Sequence, residues 1–404
     1  MRIAYLIPEF PGQTHMFFWR ERISLGRIGI ETHIVSTRRP AKAIISHDWA
    51  DEAQLETFYL TDATPADILR CCFLFIGFGP RAWTKALIAV IEDCSPRDWL
   101  ANFALMLFSV RLIGYMRDRN ISHVHSHSCA NSALIALFAN RLADMTYSLT
   151  LHGDLHDYGR QQHVKWRHAA FAITITRKLR DQVFSLLGRD VPPLVGLAPM
   201  GVDPAKFKRS RPYTAWNREG ALRLFSCGRL NQVKGHQDLI RAVSILRNSG
   251  MNVRLEIAGE DEIGGGGFHR ELATLIAELK LESEVVLLGA VAEQKVLEGL
   301  EAAHLFILAS HHEPLGVAIM EAMSCETPVI ATDRGGVPEL IDHGLDGFLI
   351  SPRDSEALAA AIRFLADHPA AAMNLSMAGR PKVLERFNSD VSAVELKRLL
   401  EQMM

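Results

Sequence analysis

Several functional classes are excluded by what this sequence lacks. Its six cysteines (Cys71, Cys72, Cys94, Cys129, Cys227 and Cys325) form no C-x-x-C pair and no zinc-like spacing. That rules out a disulfide framework and fits a reducing compartment. Cationic excess is missing too. Against 46 acidic residues stand 44 basic ones, the formal net charge is −2, and no dense basic run occurs, so a nucleic-acid partner is not expected. Phosphate-binding fingerprints are absent: there is no GxxxxGK[ST] loop, and no GxGxxG follows the first strand of either half, which argues against an NAD-dependent oxidoreductase.

An uninterrupted membrane span is lacking as well. Segment 99–116, WLANFALMLFSVRLIGYM, is long enough to cross but carries Arg111. A charge at the bilayer centre is costly, so the segment reads as a buried or interfacial helix. The run 1–8 is too short for a signal peptide, is followed by Glu9, and reads as a buried first strand.

What remains is an ordinary globular composition, 48% hydrophobic and 22% charged over 404 residues. At about 100–200 residues per domain this suggests two domains. In the first half, strands are expected at 2–8, 32–37, 122–126, 147–151 and 171–176, with helices near 14–28, 128–143 and 177–188. Strands alternating with helices of this length imply βαβ units and a parallel sheet. Segment 65–119 interrupts the rhythm with three apolar helical stretches, broken near Gly79-Pro80 and Ser95-Pro96. The polar, basic stretch 199–220 is the best linker. A second α/β series follows, with strands at 222–227, 253–258, 285–288, 304–309, 328–332 and 347–350. Its helices fall near 236–248, 268–280, 292–302, 315–325, 354–367 and 370–386, and Asn388-Ser389-Asp390 caps a last helix, 389–403. Two doubly wound halves would face a shared cleft.

Segment 310–341 carries the densest chemical signal. Glu313 sits at a strand-to-helix corner, and Pro314 places the helix start near Leu315. The N–H groups of Leu315, Gly316 and Val317 would then form a positive terminus suited to a phosphate. Glu321 would lie about 9 Å further along the axis. Taken alone, the two glutamates read equally as ordinary helix-start and helix-surface residues. The turn at Gly335-Gly336 and the residues Pro338-Glu339, following in order, change that balance. A second signal is the loop Gly228-Arg229-Leu230-Asn231-Gln232-Val233-Lys234-Gly235 after strand 222–227. An arginine fork and a lysine point charge on one loop suit a diphosphate, although alone they read as solvated charge.

Together, GR-x4-KG at 228–235, E-x7-E at 313–321 and GG-x-PE-L at 335–340 resemble the retaining glycosyltransferases of family 4. The stretches YLIPEFPGQTHMFFWRE and Thr150-Leu151-His152-Gly153-Asp154 resemble that family's exopolysaccharide, colanic-acid-type branch. The resemblance implies the α/β GT-B fold: two Rossmann-like, doubly wound parallel-sheet domains facing a central cleft. The N-terminal acceptor domain would comprise 1–205, with the apolar insertion 65–119, and a returning helix 389–404. The donor domain would comprise 206–388. On the same resemblance Gly228, Arg229 and Lys234 hold the donor diphosphate, and Glu313 sits by the transferred sugar. Glu321 binds the ribose, His152 approaches the sugar, and Gly12 lines the acceptor and phosphate side. No cofactor or metal is expected. The donor would be a nucleoside-diphosphate sugar and the acceptor a saccharide or lipid-linked saccharide.

The chain departs from the family twice. Pro11-Gly12-Gln13-Thr14 stands where paired glycines are common, and Glu326 stands where a glycine is usual. A GT-B nucleotide-sugar epimerase and a non-catalytic binding scaffold are the competing readings, although a silent scaffold has no chemical reason to keep Arg229, Lys234, Glu313 and Glu321 together. His123, His125 and His127 alternate along one strand and raise a metal site, but no carboxylate or cysteine at ligand spacing accompanies them. His311 and His312 are candidates for donor or acceptor contact. The run Gly264–Gly267 reads as a nucleotide-side loop or a flexible connector. Residues 70–116 read either as a hairpin packed on the N-domain or as a surface for peripheral contact with the inner face of the plasma membrane, with Arg70, Arg81, Lys85 and Arg97 near lipid head groups.

Overall fold

A computed structural model describes residues 1–12, 15–40, 49–261 and 267–403. The chain divides into two compact units. One holds the described residues up to Pro199 together with the helix from Ser389 onward, and the other holds Met200–Asn388. Gln13, Thr14 and the glycines at 264, 265 and 266 lie outside the described residues.

Unit 1 runs β1 (Arg2–Glu9), α1 (Met16–Arg27), β2 (Glu31–Arg38), α2 (Ala50–Glu56), β3 (Phe58–Tyr59), α3 (Pro65–Phe78), α4 (Pro80–Ile91) and α5 (Trp99–Asp118). It continues with β4 (His123–Ser126), α6 (Asn131–Ala143), β5 (Thr146–Leu151), α7 (Gln162–Arg167), β6 (Phe171–Thr174), α8 (Arg177–Leu187) and β7 (Val195–Leu197). Its seven strands lie in the order β3-β2-β1-β4-β5-β6-β7 and pair in parallel.

Unit 2 runs β8 (Leu222–Cys227), α9 (His236–Asn248), β9 (Val253–Ala258), α10 (Phe268–Glu278), β10 (Val285–Gly289), α11 (Glu293–Ala302), β11 (Leu305–Leu308) and α12 (Val317–Ser324). Then come β12 (Val329–Thr332), α13 (Val337–Leu340), β13 (Phe348–Ile350), α14 (Ser355–Asp367) and α15 (Pro369–Arg386). Its six parallel strands lie in the order β10-β9-β8-β11-β12-β13. Both sheets are doubly wound, and each reverses its strand order once, at β1/β4 and at β8/β11. Ligands of such sheets gather at the carboxyl ends of the strands flanking that reversal.

The strands are nearly continuous apolar runs because helices cover both faces of a parallel sheet. Ile3–Ile7 of β1 and Leu305–Leu308 of β11 are accordingly buried throughout. The last helix, α16 (Ser389–Met403), packs against α1, burying Ala393, Leu396, Leu399 and Leu400 beside Phe18, Trp19 and Leu25. Each buried leucine contributes roughly 1.5–3 kcal/mol before ordering costs. All six cysteines carry free thiols.

The insertion is three helices, as the breaks predicted. Thr64 opens α3 with a capping box shared with Asp67, and Pro65 supplies the first helical turn. Unusually, α3 buries none of its residues. Helices α3 and α4 bend by 105° at Gly79, and α5 alone among the described helices is long and apolar enough to cross a membrane, with half of that window buried. Arg111 is held within unit 1, its Nη1 donating to the carbonyls of Tyr59 and Leu60 at 2.8 Å each. Its position is therefore that of a core-helix arginine with built-in acceptors.

Candidate functional site

In unit 2 the reversal point is built from two connections. After β8 the chain passes through Gly228 and Arg229 into a 3-10 turn, Gln232–Lys234, and enters α9. Asn231 caps the turn, its side chain accepting from the Lys234 N–H at 3.1 Å. After β11 the chain turns at Ser310–Glu313 before α12. These connections meet: Lys234 Nζ donates to Glu313 Oε2 at 2.5 Å, and Ser310 Oγ donates to the same oxygen at 3.1 Å. Glu313 is 7% exposed, so an unpaired carboxylate here would be costly.

Two motif glycines fix this approach. A Cβ on Gly235 would fall 1.9 Å from the Ala309 carbonyl oxygen, and one on Gly335 would fall 1.8 Å from that of Glu313. Both have positive φ, 68° and 71°. Gly336 N–H donates to the Glu313 carbonyl at 2.9 Å, so the turn at 335–336 clamps the corner that carries Glu313.

Glu321 stands on α12, half-buried. Burial pushes the Cys227 thiol up to about 12, the Glu321 charge pushing the same way and Lys234 opposing. Glu321 and Lys234 therefore both act on the carboxyl end of β8. Arg229 is half-buried directly after Gly228, and its carbonyl accepts from the Asn231 N–H at 3.1 Å. The structure thus brings Gly228, Arg229, Lys234, Glu313 and Glu321 to one sheet edge.

The expected helix start needs correction. Helix α12 begins at Val317, not near Leu315, because Gly316 takes φ 102°, outside the right-handed helical region, and caps it. Leu315 is buried ahead of the helix, and the first backbone donors of α12 belong to Val317 and its successors.

His152 and Gly12 belong to unit 1, where they share a corner. His152 follows β5, and its Nε2 lies 3.2 Å from His127 Nδ1. The His152 pKa is pulled down to about 3, by burial first and then by the charge of His15. Gly12 lies under His15: its carbonyl accepts from the His15 N–H at 3.0 Å, and a Cβ on it would meet His15 Nδ1 at 2.6 Å. The three alternating histidines of β4 and its end are buried. His123 and His125 share the Ser148 hydroxyl at 2.8 Å, and His125 Nε2 lies 2.9 Å from Thr150 Oγ1. They are hydrogen-bonded core histidines, and burial pulls His123 down to about 3.

Sequence reasoning missed two groups. In unit 1, Tyr5 donates to Glu21 at 2.5 Å, and burial holds both above their usual pKa ranges. In unit 2, His311, a candidate from its place beside Glu313, pairs with an unforeseen partner: its Nε2 lies 2.6 Å from Asp238 Oδ2. The 73 residues separating that pair leave no spacing signal that could have found it.

Residues 215–382 match the family described as Glycosyl transferases group 1. Over 215 residues the chain is 32% identical to the amylovoran biosynthesis glycosyltransferase AmsK of Erwinia amylovora, covering 52% of this chain and 51% of that protein. It is also 32% identical over 218 residues to WcaL of Salmonella typhimurium, named a putative colanic acid biosynthesis glycosyltransferase, covering 52% of each. The chain spans about half the length of the curated relatives it matches. A crystal structure of Anabaena Alr3699/HepE in complex with UDP is similar with a TM-score of 0.76 and 18% identity, covering 100% of both chains. That likeness establishes the fold as GT-B, built from two Rossmann-like units.

Proposed function

We propose that this chain, whose residues 215–382 form a group 1 glycosyltransferase domain, moves a hexosyl group from a nucleoside-diphosphate sugar to a saccharide or lipid-linked saccharide in exopolysaccharide or surface-glycan synthesis. The observation that carries this reading is the meeting of Lys234 with Glu313 at 2.5 Å, at the strand reversal of the family-matched domain. The names of AmsK and WcaL support the exopolysaccharide setting, and the UDP held by HepE supports a nucleotide-sugar donor.

In this mechanism Arg229 forks onto the diphosphate, and the Lys234 ammonium, with three donors, serves both Glu313 and a phosphate oxygen. The first N–H groups of α12 add a positive terminus. These groups offset the charge that develops as the diphosphate leaves, the task a bound metal performs in other designs, so transfer should proceed without one. Glu313 contacts the sugar hydroxyls, and Glu321 holds the ribose. With Glu313 beside the sugar rather than behind the anomeric carbon, displacement occurs on one face with retention, as in family 4.

The enzyme works in the cytoplasm against the inner face of the plasma membrane. Supporting this, Phe73 is 68% and Leu100 80% exposed, on α3 and α5. A cavity of about 480 Å³ lined by Leu69, Arg70, Phe73, Leu74 and Arg117 opens beside Phe73. Apolar surface rimmed by arginine suits an anionic interface. Vesicles containing anionic lipid should sediment the protein, and Phe73→Asp with Leu100→Asp should release it; sedimentation unchanged by the double variant would remove the membrane role.

The decisive assay incubates the protein with labelled UDP-, GDP- and ADP-sugars, a membrane extract and EDTA. A glycosylated product supports transfer. Interconversion of the free nucleotide sugar without product would instead indicate an epimerase, and binding without either would indicate a scaffold.

A further inference from the structure

The proposed site rests on two turns from distant parts of unit 2, and a side-chain chain outside it ties them together. The His311 backbone N–H donates to the Val233 carbonyl at 2.7 Å, one residue before Lys234 and two before Glu313 on the respective turns. The His311 ring reaches the other way, to Asp238 in the first turn of α9, with Nε2 2.6 Å from Oδ2. Both side chains are largely buried, 12% and 11% exposed. Arg353 Nε donates to His311 Nδ1 at 3.3 Å. A guanidinium has no acceptor, so Nδ1 accepts from Arg353, leaving Nε2 to face the Asp238 carboxylate, with Gln237 Nε2 3.4 Å away. Both ring nitrogens are thus engaged.

The geometry points to Asp238 and His311 as positioning residues that hold the Lys234 turn against the Glu313 corner. Neither is placed against the donor. Asp238 orients His311 from α9, the element that Lys234 precedes, while the His311 backbone grips the Lys234 turn itself. Loss of the ring's anchor frees the two turns to separate, so the Lys234–Glu313 pair loses its preset distance. This rests on the reading of Lys234 and Glu313 as donor-binding groups.

Long-range 1H–15N spectra of histidine-labelled protein test the tautomer directly. In the wild type His311 should carry its proton on Nε2 alone, and Asp238→Ala should convert it to a mixture. With whichever nucleotide sugar the wild type turns over, Asp238→Ala should lower kcat/KM by about tenfold to a hundredfold. Asp238→Asn, whose side-chain oxygen still accepts from Nε2–H, should recover most of it. If Asp238→Ala does not fold, Arg353→Met, on an exposed side chain, should disturb the same tautomer balance. A wild-type His311 protonated on Nδ1 or on both nitrogens, or an Asp238→Ala enzyme with wild-type kcat/KM, would overturn the inference. A wild type that turns over no nucleotide sugar sinks the transfer reading, and the spectra then decide the positioning role alone.

Discussion

Gly335 and Gly344 form a matched pair for testing what the motif glycines do. Both have positive φ, 71° and 79°, and both lie in unit 2. A Cβ on Gly344 meets nothing within 4 Å, whereas one on Gly335 lands 1.8 Å from the Glu313 carbonyl oxygen and 2.6 Å from its carbon. Alanine at either position incurs the left-handed backbone cost, about 1–2 kcal/mol. At Gly335 the overlap is with backbone, so the Glu313 corner must move, adding about 1–3 kcal/mol. Urea unfolding should therefore place Gly335→Ala about 1–3 kcal/mol below Gly344→Ala, or roughly 2–12 °C lower in Tm for a unit of this size. Turnover should fall in Gly335→Ala and persist in Gly344→Ala. Equal destabilisation of the two variants, or full activity in Gly335→Ala, would refute the idea that this turn clamps Glu313.

Acid should weaken the fold before carboxylates titrate. Burial lowers His123 and His152 to about 3 and His236 to about 4, so all three fold as neutral rings. A lowered histidine pKa contributes stability that is present above the unfolded value and is lost as pH falls below it. At pH 5.5 each should forfeit about 1.4 kcal/mol, about 4 kcal/mol together; equal urea midpoints at pH 7.5 and 5.5 would contradict this. Glu326→Gly should stabilise by about 1 kcal/mol, because Glu326 holds φ 56° in the turn that closes α12, with Thr327 N–H donating to the Ala322 carbonyl at 2.9 Å. A lower urea midpoint would count against it. Glu321→Ala should weaken nucleotide binding by about tenfold or more in calorimetry; unchanged affinity would remove Glu321 from the ribose.

Much of this fold was legible because its signals are long. Most strands of both sheets and the helices Pro65–Phe78, His236–Asn248 and Ser389–Met403 stand out through apolar runs, proline and glycine breaks and caps. What escaped is short: Ala50–Glu56, Phe58–Tyr59, Gln162–Arg167, Val195–Leu197 and Val337–Leu340 hold two to seven residues, too few for a period to show. The early helix start at Leu315 failed because proline marks a helix beginning only where the next residues keep right-handed dihedrals, and Gly316 does not. At the site, the charged motif residues were visible as residue types at fixed spacing. Their support was not. Asp238 and Arg353 reach His311 across 73 and 42 residues, and Ser310 bonds Glu313 three residues on only because the turn bends that way.

The central claim is that Lys234 offers its charge to a diphosphate. Titrating UDP, GDP and ADP calorimetrically into the wild type and Lys234→Ala tests it most directly, with circular dichroism confirming that the variant is folded. At least one nucleotide should bind the wild type, and its affinity should fall about tenfold or more in the variant. Equal affinities for wild type and variant, or no binding of any of the three by the wild type, would contradict it.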